Sequence, residues 1–558
     1  MDNRVIVREI LESYENITIE KQILDGVFMF KLFGKDFLLV CPDADKLESR
    51  PSVYLYNDEG FDFPHVMLRE KEFEDVLCYP KGKYRLVCLY ENESIVNSII
   101  SFDDKIVDVI DRLIELLSMS EMDRKKEFQK EFMFYWNSAS TTQFATVYLG
   151  QEKQFTKMEV YCSKKGTRYI EEGVYLSDLN VREKNKRRWQ HHIENDVFFI
   201  PITDRREILP PHRGYSWAID NVRDIVCGKQ IDHVSCDTYK RIKNERASTQ
   251  DIILVFGMQG EQLQATFAAK LRCKNITGRT LMEKICDDAL SVEPIFTERK
   301  DYFYLSNQIG NDIGLRGKKV LLVGAGSLGS YVAFELVKNG VSSLTVYDED
   351  KLADENIMRW AYGGLEKEAN KTTIIKVLLE LIHPEIQVNA VSTNIDKKTL
   401  IEEMNQVDMI IFTIGNSDSQ LQFNQVLKQN ACHIPVIYAW LEAGGKFSHI
   451  LTVEYDKKGC YQCLFTNKEG NLVNNRASIN DDHNFDVNIV RNGCGGTRAA
   501  YGTAVILRTT AVLLDAIQKL LSGEIKNNTL IDITSANVTY PAHIVPMKEC
   551  KCCGHRNE

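Results

Sequence analysis

Residues Lys318–Asp350, KKVLLVGAGSLGSYVAFELVKNGVSSLTVYDED, give the clearest indication of fold in the C-terminal part of the chain. An apolar run, Lys318–Val323, leads directly into the loop Gly324-Ala-Gly-Ser-Leu-Gly329. A helical pattern follows over Ser330–Lys338, and a second apolar run ends at Asp348. This order of strand, glycine loop, helix and strand predicts a βαβ unit of a parallel sheet.

The glycine loop favours a bound nucleotide. Gly324, Gly326 and Gly329 permit a tight turn and close approach of a phosphate, and the helix that follows offers free N–H groups at its N-terminus. Asp348, nineteen residues after Gly329, is placed to accept hydrogen bonds from ribose hydroxyls. The pattern does not separate a dinucleotide from ATP, and tight helix–strand packing without a ligand is the alternative.

The regions on either side divide the chain into three predicted domains. Residues 301–558 continue the alternation of strands and helices, which predicts a doubly wound α/β domain. Residues 1–120 show a helix, a strand meander and a helix, an α+β pattern. Residues 121–300 form a linker or middle domain to which we assign no chemistry. Its basic run Arg182–Arg188 is either a solvated surface or a site for an anionic partner.

Composition excludes several classes of protein. A chain of 558 residues predicts three or four domains, and 44% hydrophobic with 27% charged residues is typical of a globular protein. The formal charge of −10 disfavours nucleic acid as a partner. Thr503–Leu521, the most apolar long stretch, contains Arg508 and Asp515 and predicts a buried helix, so no membrane partner is expected. The N-terminus lacks a signal-peptide pattern, and we expect a cytoplasmic protein.

Four of the fifteen cysteines form two CxxC pairs, Cys460 with Cys463 and Cys550 with Cys553. Four thiolates in two such pairs suit a closed, tetrahedral, structural zinc site. Such a site would hold the C-terminus on the α/β domain. Free thiols are the alternative, and Cys552 is able to replace one of the four ligands.

The residues after the second strand carry a resemblance to a known family. Asp350, Asn356, Arg359 and Lys371 follow Asp348, and together with the glycine loop and the cysteine pairs they resemble the ThiF/MoeB/ubiquitin-activating superfamily. The resemblance covers about residues 300–558. It implies a ThiF-like domain that uses ATP and Mg²⁺ to adenylate the C-terminal carboxylate of a small ubiquitin-like or sulfur-carrier protein.

The resemblance also implies roles for these residues. Arg359 and Lys371 would be catalytic cations for the triphosphate, Asn356 would help to position it, and Asp348 would hold the ribose. The chain departs from the family where a magnesium-binding aspartate is usual, because Gly415 occupies that position and Asp418 follows three residues later. Either Asp418 takes over the magnesium role, or the site binds the metal differently, or adenylation is impaired. The family's arginine from across the dimer is not found either, and Asn307 lies near its place.

Cys494 is the predicted thioester cysteine. It precedes a helix expected to begin near Ala499, and Arg491 and Arg498 flank it, an environment that favours a thiolate. In the ubiquitin-activating branch a cysteine at this place accepts the activated carboxylate. The alternative is a small buried residue.

The N-terminal region resembles a ubiquitin-conjugating domain. The segment that begins RLVCLYENES resembles the active-site segment of such domains, which makes Cys88 the candidate transfer cysteine and Cys78 the alternative. Pro64–Val66 corresponds to the upstream histidine segment. There is no His-Pro-Asn triplet, so the usual oxyanion-stabilising asparagine is unassigned, and Asn92 is one candidate for it. Cys88 as an ordinary strand cysteine is the other interpretation.

The order of conjugating domain, linker and activating domain resembles the fusion enzymes of bacterial anti-phage operons, in particular those of type II CBASS systems. The resemblance implies activation of a ubiquitin-like protein or of the C-terminus of a cGAS-like nucleotidyltransferase, with transfer through Cys494 and Cys88 to an unidentified amine, by a homodimer. Three alternatives stay open. They are a sulfur-carrier adenylyltransferase without conjugation, a nicotinamide oxidoreductase, and a catalytically impaired binding scaffold.

Overall fold

The described residues of the chain fall into two compact units, one that ends at Arg299 and one that begins at Lys300. The computed structural model describes residues 3–24, 26–41, 51–57, 63–67, 82–89, 101–140, 144–149, 154–163, 174–177, 189–191, 195–212, 215–228, 232–258, 265–274, 278–301, 304–305, 313–364, 369–383, 386–473, 477–478, 489–491, 497–499, 501–534, 538–543 and 546–554.

The first unit begins with an antiparallel sheet. In the sequence, one helix precedes the strands of this sheet and another follows them. Its elements are α1 (Asn3–Glu12), β1 (Ile17–Leu24), β2 (Val27–Leu32), β3 (Lys35–Val40), β4 (Ser52–Tyr56), β5 (Tyr84–Val87) and α2 (Phe102–Leu117). The strands pair in sequence order. Apolar residues recur at helical spacing along α2, and Ile106, Val109, Ile110 and Leu113 are buried against the sheet. Ser101 caps α2 by accepting a hydrogen bond from the Asp104 N–H.

A second, larger sheet follows in the same unit. Its elements are α3 (Glu121–Lys130), α4 (Phe132–Ala139), β6 (Phe144–Tyr148), β7 (Thr156–Ser163), β8 (Val174–Ser177), β9 (Trp189–His191), β10 (Asp196–Ile202), α5 (Ile219–Cys227), α6 (Cys236–Asn244), β11 (Ile252–Met258), β12 (Ala265–Cys273), α7 (Leu281–Glu283) and β13 (Ala289–Arg299). The strand order is β10-β11-β12-β13-β6-β8-β7-β9, and an additional β10–β7 pairing closes the sheet on itself. Buried Trp136 of α4 donates its indole N–H to the carbonyls of Ala268 and Ile295 at 3.1 Å, which fixes this helix to the sheet.

The second unit is built on a mixed sheet. Its strands are β14 (Lys319–Val323), β15 (Ser343–Tyr347), β16 (Gln387–Val391), β17 (Met409–Phe412), β18 (Val436–Leu441), β19 (Phe447–Val453), β22 (Thr529–Thr534) and β23 (Val538–His543), in the order β16-β15-β14-β17-β18-β19-β22-β23. The first five are parallel and the last three antiparallel. The strand order reverses between β14 and β17, which is where doubly wound sheets bind ligands.

Helices pack against the faces of this sheet. They are α8 (Ser327–Lys338), α9 (Lys371–Ile382), α10 (Lys397–Met404), α11 (Ser417–Gln429) and α12 (Thr503–Leu521). The predicted doubly wound α/β domain is thereby confirmed, and α12 is the largely buried helix expected at this place. No helix among the described residues is long and apolar enough to cross a membrane.

One predicted boundary is wrong. The helix expected near Ala499 begins at Thr503, because Thr497–Ala499 forms a short strand, β21, which pairs with β20 (Ile489–Arg491). The helix, meander and helix predicted for residues 1–120 are present as α1, β1–β5 and α2. The division of the chain at residues 120 and 300 into three domains stays a prediction. The basic run Arg182–Arg188 lies outside the described residues.

Candidate functional site

A cleft of about 550 Å³ opens at the carboxyl ends of the parallel strands. Loops after β14, β15, β16 and β17 form its walls, so residues distant in the sequence meet there. Its lining is Val323, Gly324, Gly326, Tyr347, Asp348, Glu349, Asp350, Thr393, Asn394, Ile395, Asp396, Lys397, Thr413, Ile414, Ser419, Gln422 and Phe423. The volume and the position at the switch point suit a nucleotide.

The glycine loop forms the floor of this cleft. Gly324 has a φ of 104°, in the region that favours glycine, and its N–H donates to the Tyr347 carbonyl at 2.8 Å. A Cβ on Gly329 would lie 2.0 Å from the Gly324 carbonyl oxygen, so the third glycine allows α8 to pack tightly against the loop. Gly326 occupies the N-cap position of α8. The N-terminus of α8 therefore follows the end of β14 closely, which is the arrangement that a phosphate site requires.

Asp348 joins the loop to the neighbouring strand. One carboxylate oxygen accepts the Ala325 N–H at 2.6 Å, and the other accepts the Asp350 N–H at 2.8 Å. Burial raises the pKa of Asp348 above its ordinary value. The side chain lines the cleft, where a ribose-binding carboxylate was predicted.

Lys371 lies beside the cleft and is paired with Asp350. Its Nζ is 2.7 Å from the Asp350 Oδ2, and its side chain is only 5% exposed. The Lys371 main-chain N–H also donates to the Asp350 carbonyl. A buried ammonium is therefore held next to an acidic residue of the cleft wall.

Asn356 and Arg359 belong to a turn that is tied to the glycine loop through Trp360. The Trp360 indole N–H donates to the Ala325 carbonyl at 2.8 Å, and the Trp360 main-chain N–H donates to the Asn356 carbonyl. The Arg359 guanidinium lies 5.2 Å from the ring centre of Tyr501, just before α12. Neither Asn356 nor Arg359 is part of the cleft lining.

The structure does not bring Asp418 into the cleft. Asp418 is exposed in the first turn of α11, whereas Ser419 of the same turn lines the cleft. Gly415 has a φ of 65°. The carboxylates that do line the cleft are Asp348, Glu349, Asp350 and Asp396. They are the oxygen ligands available for a divalent cation.

The four predicted metal ligands converge. The Sγ atoms of Cys460, Cys463, Cys550 and Cys553 all lie within 4.8 Å of one another. Cys552 is not part of this group, and its Sγ is 3.1 Å from the Asn424 Nδ2. Four thiols at this spacing fit a tetrahedral zinc ion and would close it from water. The quartet could hold zinc.

Cys88 is an exposed residue directly after β5. Its main-chain N–H donates to the His65 carbonyl at 2.7 Å, so the predicted histidine segment does lie against it. The His65 ring is held by Glu131, whose Oε1 is 3.0 Å from Nδ1, and by Glu127 at 3.7 Å. The hydrogen bond to Glu131 raises the pKa of His65.

Several predicted residues lie outside the described part of the chain. They are Cys494, Cys78, Asn92 and Asn307. Arg491 and Arg498 are described only as strand residues, in β20 and β21. The helix begins at Thr503, nine residues after Cys494, so the expectation that a helix N-terminus lies immediately after Cys494 is not supported.

Sequence analysis missed three parts of this region. The Thr413 hydroxyl donates to the Gly324 carbonyl at 2.9 Å, and Trp360 anchors the turn described above. Fully buried His449 lies between Glu442 and Asp532, with nitrogen–oxygen distances of 2.6 and 2.7 Å. The signal for Thr413 was its position at the end of the strand before Gly415. The histidine cluster joins residues far apart in the sequence and left no local signal.

The chain is similar in sequence to several known proteins. Residues 310–553 match the ThiF family. The ATP-dependent ubiquitin transferase-like protein Cap2 of Pseudomonas aeruginosa is 22% identical over 353 residues, which are 61% of this chain and 62% of that protein. The sulfur carrier protein ThiS adenylyltransferase of Escherichia coli is 26% identical over 178 residues, 30% of this chain and 70% of that enzyme. The crystal structure of E. coli MccB aligns with a TM-score of 0.35 at 20% identity, over 44% of this chain and 67% of that one.

These findings confirm the predicted resemblance to ThiF-containing proteins of the Cap2 kind. They also support an enzyme of the ThiF adenylyltransferase type, as the sequence predicted. Enzymes of this type use ATP and Mg²⁺. The chain spans about 62% of the length of the Pseudomonas relative.

Proposed function

We propose that the chain activates the C-terminal carboxylate of a partner protein by adenylation and then transfers it through two cysteines to an amine. The observation that carries this proposal is that the glycine loop, Asp348 and Asp350 line one cleft, with Lys371 paired to Asp350 beside it. The loop supplies N–H donors for phosphate, and Lys371 supplies a buried positive charge beside it.

In the first step a carboxylate oxygen of the partner attacks the α-phosphorus of ATP, and pyrophosphate leaves. Two anions approach each other, so cations must offset the charge that develops. Lys371 is placed to exchange Asp350 for a phosphate oxygen, and Arg359 is the second cation. Asn356 helps to position the triphosphate. The cleft carboxylates, Asp350 foremost, would hold Mg²⁺, which supplies further positive charge.

In the second step the Cys494 thiolate attacks the acyl carbon, and AMP leaves. The Cys88 thiolate then attacks the thioester carbonyl and releases Cys494. An amine of the acceptor finally attacks the Cys88 thioester and forms an amide. Exposure of Cys88 at the end of β5, against the His65 carbonyl, supports its part in this sequence.

The setting that we propose is bacterial anti-phage defence. Similarity to Cap2 proteins of P. aeruginosa and E. coli supports it. The activated partner would be a ubiquitin-like protein or the C-terminus of a cGAS-like nucleotidyltransferase. The enzyme would act as a cytoplasmic homodimer, and a zinc ion in the cysteine quartet would be structural.

Intact mass measurement under non-reducing conditions tests the proposal. The chain is mixed with ATP, Mg²⁺ and candidate partners encoded beside its gene, and C494A and C88A are run in parallel. We expect a thiol-sensitive, partner-sized adduct that is absent from C494A. Cys236→Ala, which changes another exposed cysteine, is the matched control and should leave the adduct unchanged.

A sulfur-carrier-type adenylyltransferase is the second candidate. It is supported by the similarity to the ThiS adenylyltransferase of E. coli, which covers 70% of that enzyme. AMP formation without a cysteine adduct would favour this candidate. Absence of AMP with every partner would instead favour a binding scaffold and contradict both.

A further inference from the structure

Three sulfur atoms form a compact triangle in the first unit, and none of them belongs to a residue that the proposed function uses. The Sγ atoms of Cys227 and Cys286 are 3.3 Å apart. The Sδ of Met282 lies 3.7 Å from the first and 3.8 Å from the second. All three residues are half-buried, and neither cysteine is in a disulfide. From this geometry we propose a binding site for a soft monovalent metal ion, Cu(I) or its analogue Ag(I).

The spacing of the triangle matches that of the cysteine quartet, the candidate zinc site of the second unit. In the cysteine quartet, the Sγ atoms of Cys463 and Cys553 are 3.3 Å apart, and those of Cys460 and Cys550 are 3.9 Å apart. The triangle spans the same range. One ion can therefore bridge the three sulfurs after shifts of a few tenths of an ångström.

Local structure explains why the sulfurs meet. Cys227 is the last residue of α5, which ends at Gly228 with a φ of 52°. Met282 lies in the short helix α7, and Cys286 lies in the single π-helical turn Lys284–Asp288 that follows it. Turns of this kind are rare and occur frequently at functional sites.

The two elements that carry the sulfurs are fixed to each other and to the sheet. The Arg223 Nε of α5 donates to the Ile285 carbonyl in the π-helical turn at 3.2 Å. Buried Lys284 donates to the Gln250 carbonyl at 2.9 Å, and Thr280 with Glu283 forms a capping box at the start of α7. These bonds hold together the backbone segments that carry the three sulfurs.

The chemistry of the three sulfur ligands determines which metal ion the site would prefer. Two thiolates and a thioether are soft ligands that favour Cu(I), whereas structural zinc takes four nitrogen or thiolate donors. Binding would release the two thiol protons and leave a complex with one net negative charge.

The test uses the full chain, reduced and loaded with zinc beforehand so that the quartet is filled. Cu(I) is supplied under anaerobic conditions with bicinchoninate as competitor, and native mass spectrometry counts both metals. We expect the wild-type chain to retain its zinc and to bind one Cu(I) that C227S/C286S does not bind. C236S should bind copper like the wild type, because Cys236 is an exposed cysteine outside the triangle.

A second measurement keeps the proposal falsifiable if the double variant fails to fold. M282L keeps both thiols and a side chain of similar volume, and we expect it to lose Cu(I) to the competitor at a lower bicinchoninate concentration. X-ray absorption of the copper-loaded wild type should show three sulfur neighbours. Equal Cu(I) uptake by wild type and C227S/C286S, unchanged competition in M282L, or nitrogen and oxygen neighbours would each overturn the proposal. So would a reduced protein that binds no Cu(I) and only forms a Cys227–Cys286 disulfide with oxidised glutathione.

Discussion

At the scale of single residues, Gly326 and Gly329 of the glycine loop have different structural roles. A Cβ on Gly329 would meet the Gly324 carbonyl oxygen at 2.0 Å, whereas a Cβ on Gly326 would meet no atom within 4 Å. Gly329 therefore serves packing inside the protein. The space above Gly326 is open, and a bound phosphate is the group that we expect to fill it.

Gly326→Ala and Gly329→Ala form a matched pair that tests this difference. We expect G326A to lower the free energy of unfolding by no more than about 1 kcal/mol, the cost of alanine at an N-cap. The same change should weaken ATP binding strongly, because the methyl group occupies the phosphate position. G329A should destabilise the fold by about 2–3 kcal/mol through overpacking. Chemical denaturation and calorimetric ATP titration measure the two quantities, and unchanged ATP affinity in G326A would contradict the assignment.

His449 gives a second prediction at this scale. Both ring nitrogens face carboxylates, so both donate and the ring is an imidazolium. Burial opposes this charge, but the hydrogen bonds to Asp532 and Glu442 raise the pKa of His449 above its ordinary 6.5. Because the folded-state pKa is the higher one, the stabilisation is complete below pH 6.5 and is lost as the pH rises through the raised pKa.

We expect His449→Gln to destabilise the chain by about 3 kcal/mol or more at pH 6, since it leaves two carboxylates without their cation. The difference from wild type should shrink at alkaline pH. Denaturation across a pH series measures it, with exposed His433→Gln as a control that stays within about 0.5 kcal/mol. A difference that grows with pH would show that His449 is neutral in the folded chain.

The residues that sequence analysis identified at the cleft share one property. Gly324, Gly326 and Asp348 are set by the local order of strand, loop and strand, so their positions follow from a short stretch of chain. Thr413 and Trp360 contact the same loop from 89 and 35 residues away. Only the folded topology brings such residues together, and a single sequence carries no signal for the contact.

At the scale of elements, we expect the C-terminal cysteine pair to control how firmly the C-terminal segment is held. Cys550 and Cys553 lie close to Cys460 and Cys463, so an ion in the quartet would hold residues 546–554 against α11 and the turn Tyr461–Leu464. We expect Cys460→Ser to lose a tightly bound zinc and to make the C-terminal segment sensitive to protease. Cys552→Ser should keep both properties. Elemental analysis with limited proteolysis checks this, and equal zinc loss in the two variants would make Cys552 a ligand.

The segment before Cys88 depends on two helices of the following region. The His65 main-chain N–H donates to the Tyr135 hydroxyl of α4 at 2.8 Å, and the His65 ring pairs with Glu131 at the junction of α3 and α4. Residues beyond 120 therefore shape the backbone that contacts Cys88. This is a role for the middle region that its sequence did not indicate.

Glu131→Gln tests the contact between this region and the segment before Cys88 through its effect on the pKa of the His65 ring. Removal of the Glu131 charge takes away the largest cause of the raised pKa of His65, so we expect this pKa to fall in the variant. Glu121→Gln, on the exposed side of α3, should leave it unchanged. Titration of the His65 ring protons by NMR measures the shift. A wild-type pKa at or below 6.5 would contradict the pairing.

Helices and strands were predictable where the spacing of apolar residues was regular. Their first and last residues were less predictable. α2, α8 and the strands of the parallel sheet follow from apolar spacing that tertiary packing then preserves. The start of α12 was misplaced because Thr497–Ala499 pairs with Ile489–Arg491 as a strand. That pairing depends on a partner segment and not on the local propensity of the residues.

At the scale of the whole molecule, the proposed order of transfer predicts different effects for substitutions of Cys494 and Cys88. Cys494 receives the acyl group first, so C494A should stop every later step while adenylation continues. C88A should stop the amide product but allow a thioester to build up on Cys494. ATP–pyrophosphate exchange should stay at the wild-type rate in both variants, because neither thiol takes part in adenylation.

The double variant gives the sharpest form of this prediction. When two residues act in successive steps of one reaction, the effects of their substitutions do not add. C88A/C494A should therefore behave like C494A alone in every assay. Exchange, thioester and amide product are measured in parallel by isotope exchange and by electrophoresis with and without thiol, with C236A as the control. If C494A retains a thiol-sensitive adduct that the double variant loses, Cys88 receives the acyl group directly from the adenylate. Cys88 would then take the place of Cys494, and the chain would need only one thioester between the adenylate and the acceptor amine.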